Sequence, residues 1–262
     1  MFGPLCLAAA LFCAWTAEAG TVTAVLSPSA DATIFEENAD SSDSKSTGVF
    51  AGRSRIGFSR RAFLRFDLAG IPAGVTITAV EVRLSLTRAN SGSVFGSLYR
   101  VSAAWGEGTS NAGIPGGSGA PATTGDPTWT MRVYPGTAWA SPGGDTLISP
   151  SATTLIGSSL VNYFWTSTPA LVSDVRGWLN LPATNFGWQL RMDEAQIAPT
   201  AKRFGSREES DAALRPALLV TYDDPAVEGG SSTVVPALDA PALVALAAVL
   251  AAGGAWLLRR TS

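Results

Sequence analysis

Histidine is absent from this chain of 262 residues, and cysteine occurs only twice. Without histidine, the protein can form no Ser-His-Asp triad, no Cys-His dyad and no histidine-ligated zinc or haem site. Charged side chains are also scarce, at 15% of the residues, and the formal net charge is −3. Because sequence-independent binding of nucleic acid requires a basic surface, this composition argues against a nucleic-acid partner.

The N-terminal segment contains both cysteines, Cys6 and Cys13. An apolar stretch from Leu5 to Trp15 is followed by Ala17-Glu18-Ala19, which fits the small-x-small pattern before a cleavage site. Residues 1–19 are therefore predicted to be a signal peptide for export by Sec, with an N-terminal buried strand as the alternative. The exported chain would have no disulfide, and its stability outside the cell would depend on the size of its core.

The C-terminal segment contains the longest nearly uncharged run, residues 240–258. Its 19 residues are enough to cross a hydrocarbon core of about 30 Å as a helix. Arg259 and Arg260 follow immediately, and the positive-inside rule places them in the cytoplasm with the preceding domain outside. We therefore expect a transmembrane helix with a basic stop, and a buried core helix is the alternative.

A short motif precedes this run: Val235, Pro236, Ala237 and Leu238. The motif, the helix and the basic stop together resemble the bacterial C-terminal tails named IPTL, after Ile-Pro-Thr-Leu. These tails belong to a wider PEP-CTERM-like class that exosortase-type sorting enzymes process. The resemblance implies a tail that holds the protein in the membrane until processing to the cell surface or extracellular space. A permanent membrane anchor is the alternative.

The middle of the chain has the periodicity of β-strands. Val80, Val82, Leu84 and Leu86 fall on one face of a predicted strand, Val75–Arg88, and polar residues alternate with them. Further strands are predicted at Ala62–Leu68, Leu98–Val101, Val161–Trp165, Phe186–Met192 and Ala217–Tyr222. Many short strands separated by turn residues are typical of a β-sandwich, and we expect a jelly roll.

One short helix interrupts this pattern. Thr168 is a good N-cap, and Pro169 suits the first helical position. A single apolar stripe follows, and Leu181-Pro182 ends the helix; the stripe consists of Leu171, Val175, Trp178 and Leu179. The expected organisation is a signal peptide, a folded domain, a linker and a sorting tail, at residues 1–19, 20–224, 225–234 and 235–262.

Several segments of the folded region resemble the secreted DNRLRE domains, which are akin to carbohydrate-binding modules. They occur in the expected order at Ala30–Ile34, Arg61–Leu68, Ile71–Ile77, Leu98–Val101, Trp105–Gly108 and Arg215–Val220. The resemblance implies a jelly-roll sandwich that is an appendage of secreted polysaccharide-active enzymes or a surface module. It does not imply catalysis.

Candidate ligand-binding residues occur in two places. The long loop at residues 106–159, with Trp105 just before it, contains aromatic side chains on which a sugar ring could stack. These candidates are Trp105, Trp129, Trp139 and Tyr134. The alternative is that the tryptophans pin the loop onto the sandwich. Arg203 or Arg207 could hold the carboxylate of an acidic sugar in an anionic polysaccharide such as alginate. A structural ion pair between Arg207 and Glu208 is the alternative.

A structural cation is a further expectation. Asp31, Glu36 and Asp40 lie in an oxygen-rich stretch that could contribute ligands to Ca²⁺, and a solvated acidic loop is the alternative. A glycosidase needs only two carboxylates, but nothing in the sequence marks a pair among the four candidates. Those candidates are Glu107, Asp126, Asp145 and Glu194.

These observations predict a secreted, non-catalytic domain that is delivered to the envelope or surface. It would bind polysaccharide or mediate adhesion in an extracellular matrix. A structural surface or matrix protein without a glycan ligand is the main alternative, and a polysaccharide-degrading enzyme is the third.

Overall fold

In a computed structural model, the backbone is described for residues 19–228 and 233–236, and the side chains are described for residues 20–225. The predicted signal peptide before Ala19 and the predicted transmembrane helix lie outside the described residues and stay predictions, as do Ala237, Leu238, Arg259 and Arg260. Within the described ranges, no helix is both long enough and apolar enough to span a bilayer.

The described chain forms sixteen strands, one α-helix and two short 3-10 helices. The strands are β1 Ala19–Leu26, β2 Pro28–Phe35, β3 Ser41–Asp43, β4 Gly48–Arg53, β5 Ser59–Phe66, β6 Thr76–Ala89, β7 Val94–Arg100, β8 Ala120–Pro121, β9 Met131–Val133, β10 Thr137–Ala138, β11 Ala152–Ile156, β12 Asn162–Trp165, β13 Trp188–Met192, β14 Lys202–Gly205, β15 Ala217–Glu228 and β16 Thr233–Pro236. The helix α1 spans Pro169–Asn180, and the 3-10 helices span Pro182–Thr184 and Ala212–Leu214.

The strands form two layers of a β-sandwich. The first layer has the order β11-β7-β13-β5-β2-β3-β8, and the second has the order β12-β6-β15-β1-β16. Strand β14 pairs with β6 on one side and with β4 on the other, and β4 also pairs with β5, so the two layers are joined. The pairings are antiparallel except that of β1 with β16, among the strands that the structure describes.

The long strand β6 confirms the predicted alternation. Val80, Val82 and Leu84 are fully buried, and Leu86 is 3% exposed. All four belong to the main core between the two layers. Ser85 lies on the opposite face but is also buried, because Asn162 of β12 and the carbonyl of Ala213 cover its hydroxyl.

Helix α1 also has the predicted limits. The hydroxyl of Thr168 accepts a hydrogen bond from the backbone N–H of Leu171 at 3.1 Å, and Pro169 occupies the first turn. The periodicity did not predict the burial of Asp174 on the same face. Asp174 is buried because its carboxylate accepts hydrogen bonds from Trp188 Nε1 at 2.8 Å and from the hydroxyl of Ser151 at 2.6 Å.

The long loop folds back over the outer face of the first layer and encloses a second, smaller core. Phe63 lies at its centre, with its ring 5.3 Å from that of Trp139 in a stacked arrangement and 5.2 Å from that of Trp105. The remaining buried members are Ala30, Ala32, Ile34 and Val101. The domain therefore has a cover on one side of the sandwich, and this cover determines which loop side chains reach the surface.

Candidate functional site

Trp105 and Trp139, two of the predicted sugar-stacking residues, are buried in the second core. Their exposed fractions are 4% and 5%. Their indole N–H groups donate to main-chain carbonyls, Trp105 to Phe186 at 2.7 Å and Trp139 to Thr128 at 2.9 Å. Both residues therefore hold the loop against the sheet, as the packing alternative expects, and neither presents a ring face to a ligand.

Trp129 and Tyr134 are each partly buried. The guanidinium of Arg61 lies 4.7 Å from the ring centroid of Trp129 and covers one face of the indole. Arg61 is held there by two hydrogen bonds to Glu194, at 2.8 Å and 2.7 Å. Stacking of a sugar on that face of Trp129 would require the displacement of a paired arginine.

Arg207 belongs to a network of charged side chains centred on Glu107. Its Nε and Nη2 atoms donate to the two carboxylate oxygens of Glu107 at 3.0 Å and 2.7 Å. Arg207 also pairs with Glu208 at 3.1 Å, which is the ion pair that the structural alternative expects. Lys45 reaches Glu107 at 3.0 Å, so the donors of Arg207 face internal carboxylates rather than a ligand.

Asp31 takes part in the same network rather than in a cation site. It is 1% exposed, and its carboxylate accepts a hydrogen bond from the backbone N–H of Arg207 at 2.7 Å. Burial raises the pKa of Asp31 well above its ordinary value, and the negative charges of Glu208 and Glu107 raise that pKa further.

The predicted Ca²⁺ ligands do not converge. Asp31 lies within the extended strand β2, while Glu36 follows its end, and five residues of a strand span about 16 Å. Glu36 instead accepts a hydrogen bond from the backbone N–H of Ser59 at 2.7 Å, and Asp40 is exposed. In the described part of the chain, no group of three or more acidic side chains is placed to hold a metal ion.

The four carboxylates considered for catalysis have structural contacts. Glu107 and Glu194 pair with arginines, Asp126 is fully buried and accepts from Ser44 and Thr123, and Asp145 accepts two backbone N–H groups. Each carboxylate therefore supports the loop or the sheet beneath it.

Arg203, the other predicted carboxylate ligand, lies in a basic cleft with a volume of about 400 Å³. Strands β4, β14 and β6 contribute to it, together with the loops near residues 54–56 and 115–118. The charged residues that line it are Arg55, Arg60, Arg88, Lys202, Arg203 and Glu37. Four arginine side chains thus share the cleft with one carboxylate, in a protein whose net charge is negative. The side chain of Lys202 is buried, and its Nζ atom donates to the carbonyls of Asn90 and Gly92, each at 2.8 Å.

The register of the three strands places Arg203 at the centre of this basic cleft. Arg203 lies opposite Phe50 of β4 and opposite Arg88 of β6. Its guanidinium is 5.9 Å from the ring centroid of Phe50, and its terminal nitrogens donate to the hydroxyls of Thr87 and Thr47, each at 2.8 Å. Burial lowers the pKa of Arg203, the charges of Glu209 and Asp43 act in the opposite direction, and the neighbouring charge of Arg88 lowers it further.

The charges of the basic cleft are mostly uncompensated. Glu37 is paired with Arg60 at 2.6 Å. Arg55, Arg88 and Arg203 have no carboxylate within ion-pair distance among the residues that the structure describes. A guanidinium without an internal carboxylate can offer its N–H groups to an external anion, and its planar fork matches a carboxylate.

Sequence reasoning proposed only Arg203 from this cleft. A local signal existed for part of it, since four arginines fall within the nine residues 53–61. Arg55 and Arg60 from that run reach the cleft. Arg61 follows Arg60 directly, so its side chain lies on the opposite face of β5, where it pairs with Glu194. No local pattern connects these arginines with Arg88 or Arg203, because sheet register brings them together.

A second polar cleft, of about 660 Å³, lies on the covered face of the first layer. The guanidinium of Arg191 is 4.8 Å from the ring centroid of Tyr99, and burial lowers the pKa of Arg191 to about 10, with Arg61 contributing. Arg191 donates to Gln189 and, at 2.9 Å, to the hydroxyl of Thr146. Arg191 is the one cation lining this cleft without an ion pair among the described residues, because Arg61 is paired with Glu194. The basic cleft has three such arginines and is therefore the better candidate for an anionic ligand.

Comparison with known proteins agrees with this description of the domain. Residues 22–141 match the family model of carbohydrate-binding module family 96. No curated protein matches the chain. The chain therefore contains a β-rich domain that resembles a carbohydrate-binding module, and the matched region includes Phe50, Arg55, Arg60 and Arg88 but ends before Arg203.

Proposed function

We propose that this protein binds an acidic polysaccharide through the basic cleft, without catalysing its breakdown. The observation that carries the proposal is the row of Phe50, Arg203 and Arg88 across three adjacent strands. Arg203 and Arg88 are neighbours on the sheet, and neither forms an ion pair with a carboxylate of the described chain, although Glu209 and Asp43 act on Arg203 from a greater distance. Successive uronic acid residues would supply the missing negative charges.

The cleft has further properties that suit this ligand. The cleft is open, and its rim includes Ile56, whose side chain is 71% exposed and could contact the CH face of a sugar ring. Concentrated positive charge in a cleft speeds the encounter with a polyanion. The similarity of residues 22–141 to a carbohydrate-binding module supports a glycan rather than another anion.

The sequence adds a proposed setting for this activity. We propose a jelly-roll sandwich that is exported by Sec and delivered to the surface by the C-terminal tail, either through an exosortase-type enzyme or as a membrane anchor. The bound polysaccharide would then belong to an extracellular matrix, where the domain mediates adhesion. The predicted signal peptide and the predicted sorting tail support this part of the proposal.

A binding assay with paired ligands tests the proposed activity. Alginate or polygalacturonate would be titrated into the protein and compared with the same polymer after reduction of its carboxyl groups. The acidic polymer should bind, and affinity should fall as salt rises, because exposed charges are screened. The double variant Arg88→Gln/Arg203→Gln should lose at least about tenfold in affinity, since bonds to charged groups contribute about 1.5–3 kcal/mol each.

Arg132→Gln is the matched control, because it removes one positive charge outside this cleft, where Arg132 donates to the carbonyl of Ala104. Its affinity should stay within about twofold of the unmodified protein. Equal binding of the carboxyl-reduced polymer would refute acidic specificity. Absence of binding to either polymer, in protein shown to be folded, would favour the purely structural surface role.

A further inference from the structure

A larger cleft lies elsewhere, at the end of the sandwich, with a volume of about 930 Å³. It is formed between the turn that joins β5 to β6 and the C-terminal half of α1. Its walls include the apolar side chains of Leu68, Ile71, Val75 and Leu179. None of its lining residues belongs to the basic cleft. We call it the end cleft.

Two polar atoms on residues that line the end cleft have no hydrogen-bond partner. Trp178 is 2% exposed, with its ring 4.5 Å from that of Trp188, and its Nε1 atom finds no acceptor among the described residues. Asn185 donates through Nδ2 to the carbonyl of Phe66 at 2.8 Å, but its Oδ1 atom receives no hydrogen bond there. Buried polar groups are normally paired, so an unused donor and an unused acceptor beside one cleft require an explanation.

The end cleft also has an excess of positive charge. Arg65 lies with its guanidinium 5.0 Å from the ring centroid of Trp105, and Arg176 donates to the carbonyl of Ile77 at 2.7 Å. Neither arginine forms an ion pair within the described part of the chain. Asp67 is the single carboxylate among the lining residues, and it accepts the backbone N–H of Ala69 at 3.0 Å.

From this combination we propose that the end cleft is a second ligand site, which takes a small organic carboxylate with an apolar body. Arg176 would hold the carboxylate, Arg65 would add positive charge to the same cleft, and Leu68, Ile71 and Leu179 would contact the body of the ligand. The indole N–H of Trp178 and the amide oxygen of Asn185 are buried, so a polar substituent would bond them only after the neighbouring side chains moved apart. A polysaccharide fits this site less well, because the apolar walls cannot bond a hydroxyl-rich chain.

The indole N–H of Trp178 provides a specific readout. In ¹H–¹⁵N spectra, phenylacetate, benzoate and hexanoate would be titrated into the full chain, with phenylacetamide as the uncharged counterpart of phenylacetate. At least one of the acids should shift the Trp178 indole signal in a saturable manner, and phenylacetamide should bind at least about tenfold more weakly, as expected for loss of a charge-assisted bond. The Trp178→Phe variant assigns the signal.

Arg176→Gln is the decisive variant, because Arg176 is exposed and its substitution should leave the fold intact even if Trp178→Phe does not. It should weaken binding of the acid at least about fivefold, while Arg132→Gln and Arg88→Gln/Arg203→Gln should not. The proposal is overturned if no acid gives a saturable shift, if phenylacetamide binds equally well, or if Arg176→Gln has no effect. A shift of the same signal by alginate at equal affinity would also overturn it, because the end cleft would then be part of the polysaccharide site.

Discussion

Gly48 lies directly beneath the guanidinium of Arg203. A β-carbon built on Gly48 would lie 2.7 Å from Nη2 of Arg203 and nearer still to its Cζ. The absence of a side chain at position 48 therefore allows Arg203 to lie flat across β4, beside Phe50. The shape of the basic cleft depends on this glycine, although Gly48 has no polar side chain of its own.

The variant Gly48→Ala should displace Arg203 and weaken binding of an acidic polysaccharide by roughly tenfold, because a well-placed charged bond contributes about 1.5–3 kcal/mol. The free energy of unfolding should fall by about 1 kcal/mol or less, because the atoms that the new methyl group would meet are the end of a flexible side chain. Calorimetric titration with alginate and urea denaturation would measure the two effects.

Gly136→Ala is the control for that experiment, because a β-carbon at position 136 would meet no atom within 4 Å. This variant should bind the polysaccharide as the unmodified protein does. Unchanged affinity of Gly48→Ala, with Arg203 shown to have moved, would remove Arg203 from the binding site.

Trp139→Ala should destabilise the domain by about 3–5 kcal/mol, the usual range for truncation of a buried aromatic side chain. Trp139 stacks on Phe63 and is 5% exposed, so the truncation would open a cavity in the second core. Trp139→Phe should retain much of the stacking and cost less. Denaturant titration measures both, and a normal unfolding free energy for Trp139→Ala would contradict the packing role.

The pH dependence of stability should reveal the raised pKa of Asp31. Its pKa in the folded protein is raised above the ordinary value of 3.8, so the folded state holds the proton to a higher pH than the unfolded state does. The free energy of unfolding therefore decreases as pH rises from about 4 through the folded pKa, because ionised Asp31 is buried beside Glu107 and Glu208.

Asp31→Asn should remove that part of the pH dependence. The difference in unfolding free energy, variant minus unmodified protein, should become more positive as pH rises from about 4, and urea titrations at several pH values would show it. Parallel stability curves for the two proteins would mean that Asp31 does not titrate abnormally. The slope of this difference against pH is the quantity to compare, because a constant change in stability caused by the amide does not affect the slope.

Thr168→Ala should lower the unfolding free energy by about 1 kcal/mol, because it removes the cap of α1. The threonine hydroxyl accepts from the N–H of Leu171 at 3.1 Å and donates to the carbonyl of Ser151. Thr168→Ser keeps the hydroxyl and should remain close to the unmodified stability. Equal losses in the two variants, measured by thermal and urea unfolding, would show that the methyl group matters more than the cap.

The local elements of this protein were predictable from its sequence. The alternation in Val75–Arg88 predicted strand β6 and its buried face, and Thr168-Pro169 with the following apolar stripe predicted helix α1. These signals are local, because burial of one face imposes a period of two residues on a strand and 3.6 residues on a helix. The resemblance to carbohydrate-binding modules also came from short segments in order, and the match over residues 22–141 supports it.

Tertiary structure alone decided which side chains reach a ligand. Trp105 and Trp139 have aromatic rings on which a sugar could stack, but the fold of the loop buries them against Phe63. Phe50, Arg88 and Arg203 come from three strands far apart in the chain, and the register of β14 with β4 and β6 makes them neighbours. Periodicity indicates which face of a strand or helix is buried. Which side chains from different strands come together depends on sheet order and register, and these arise from packing between distant segments.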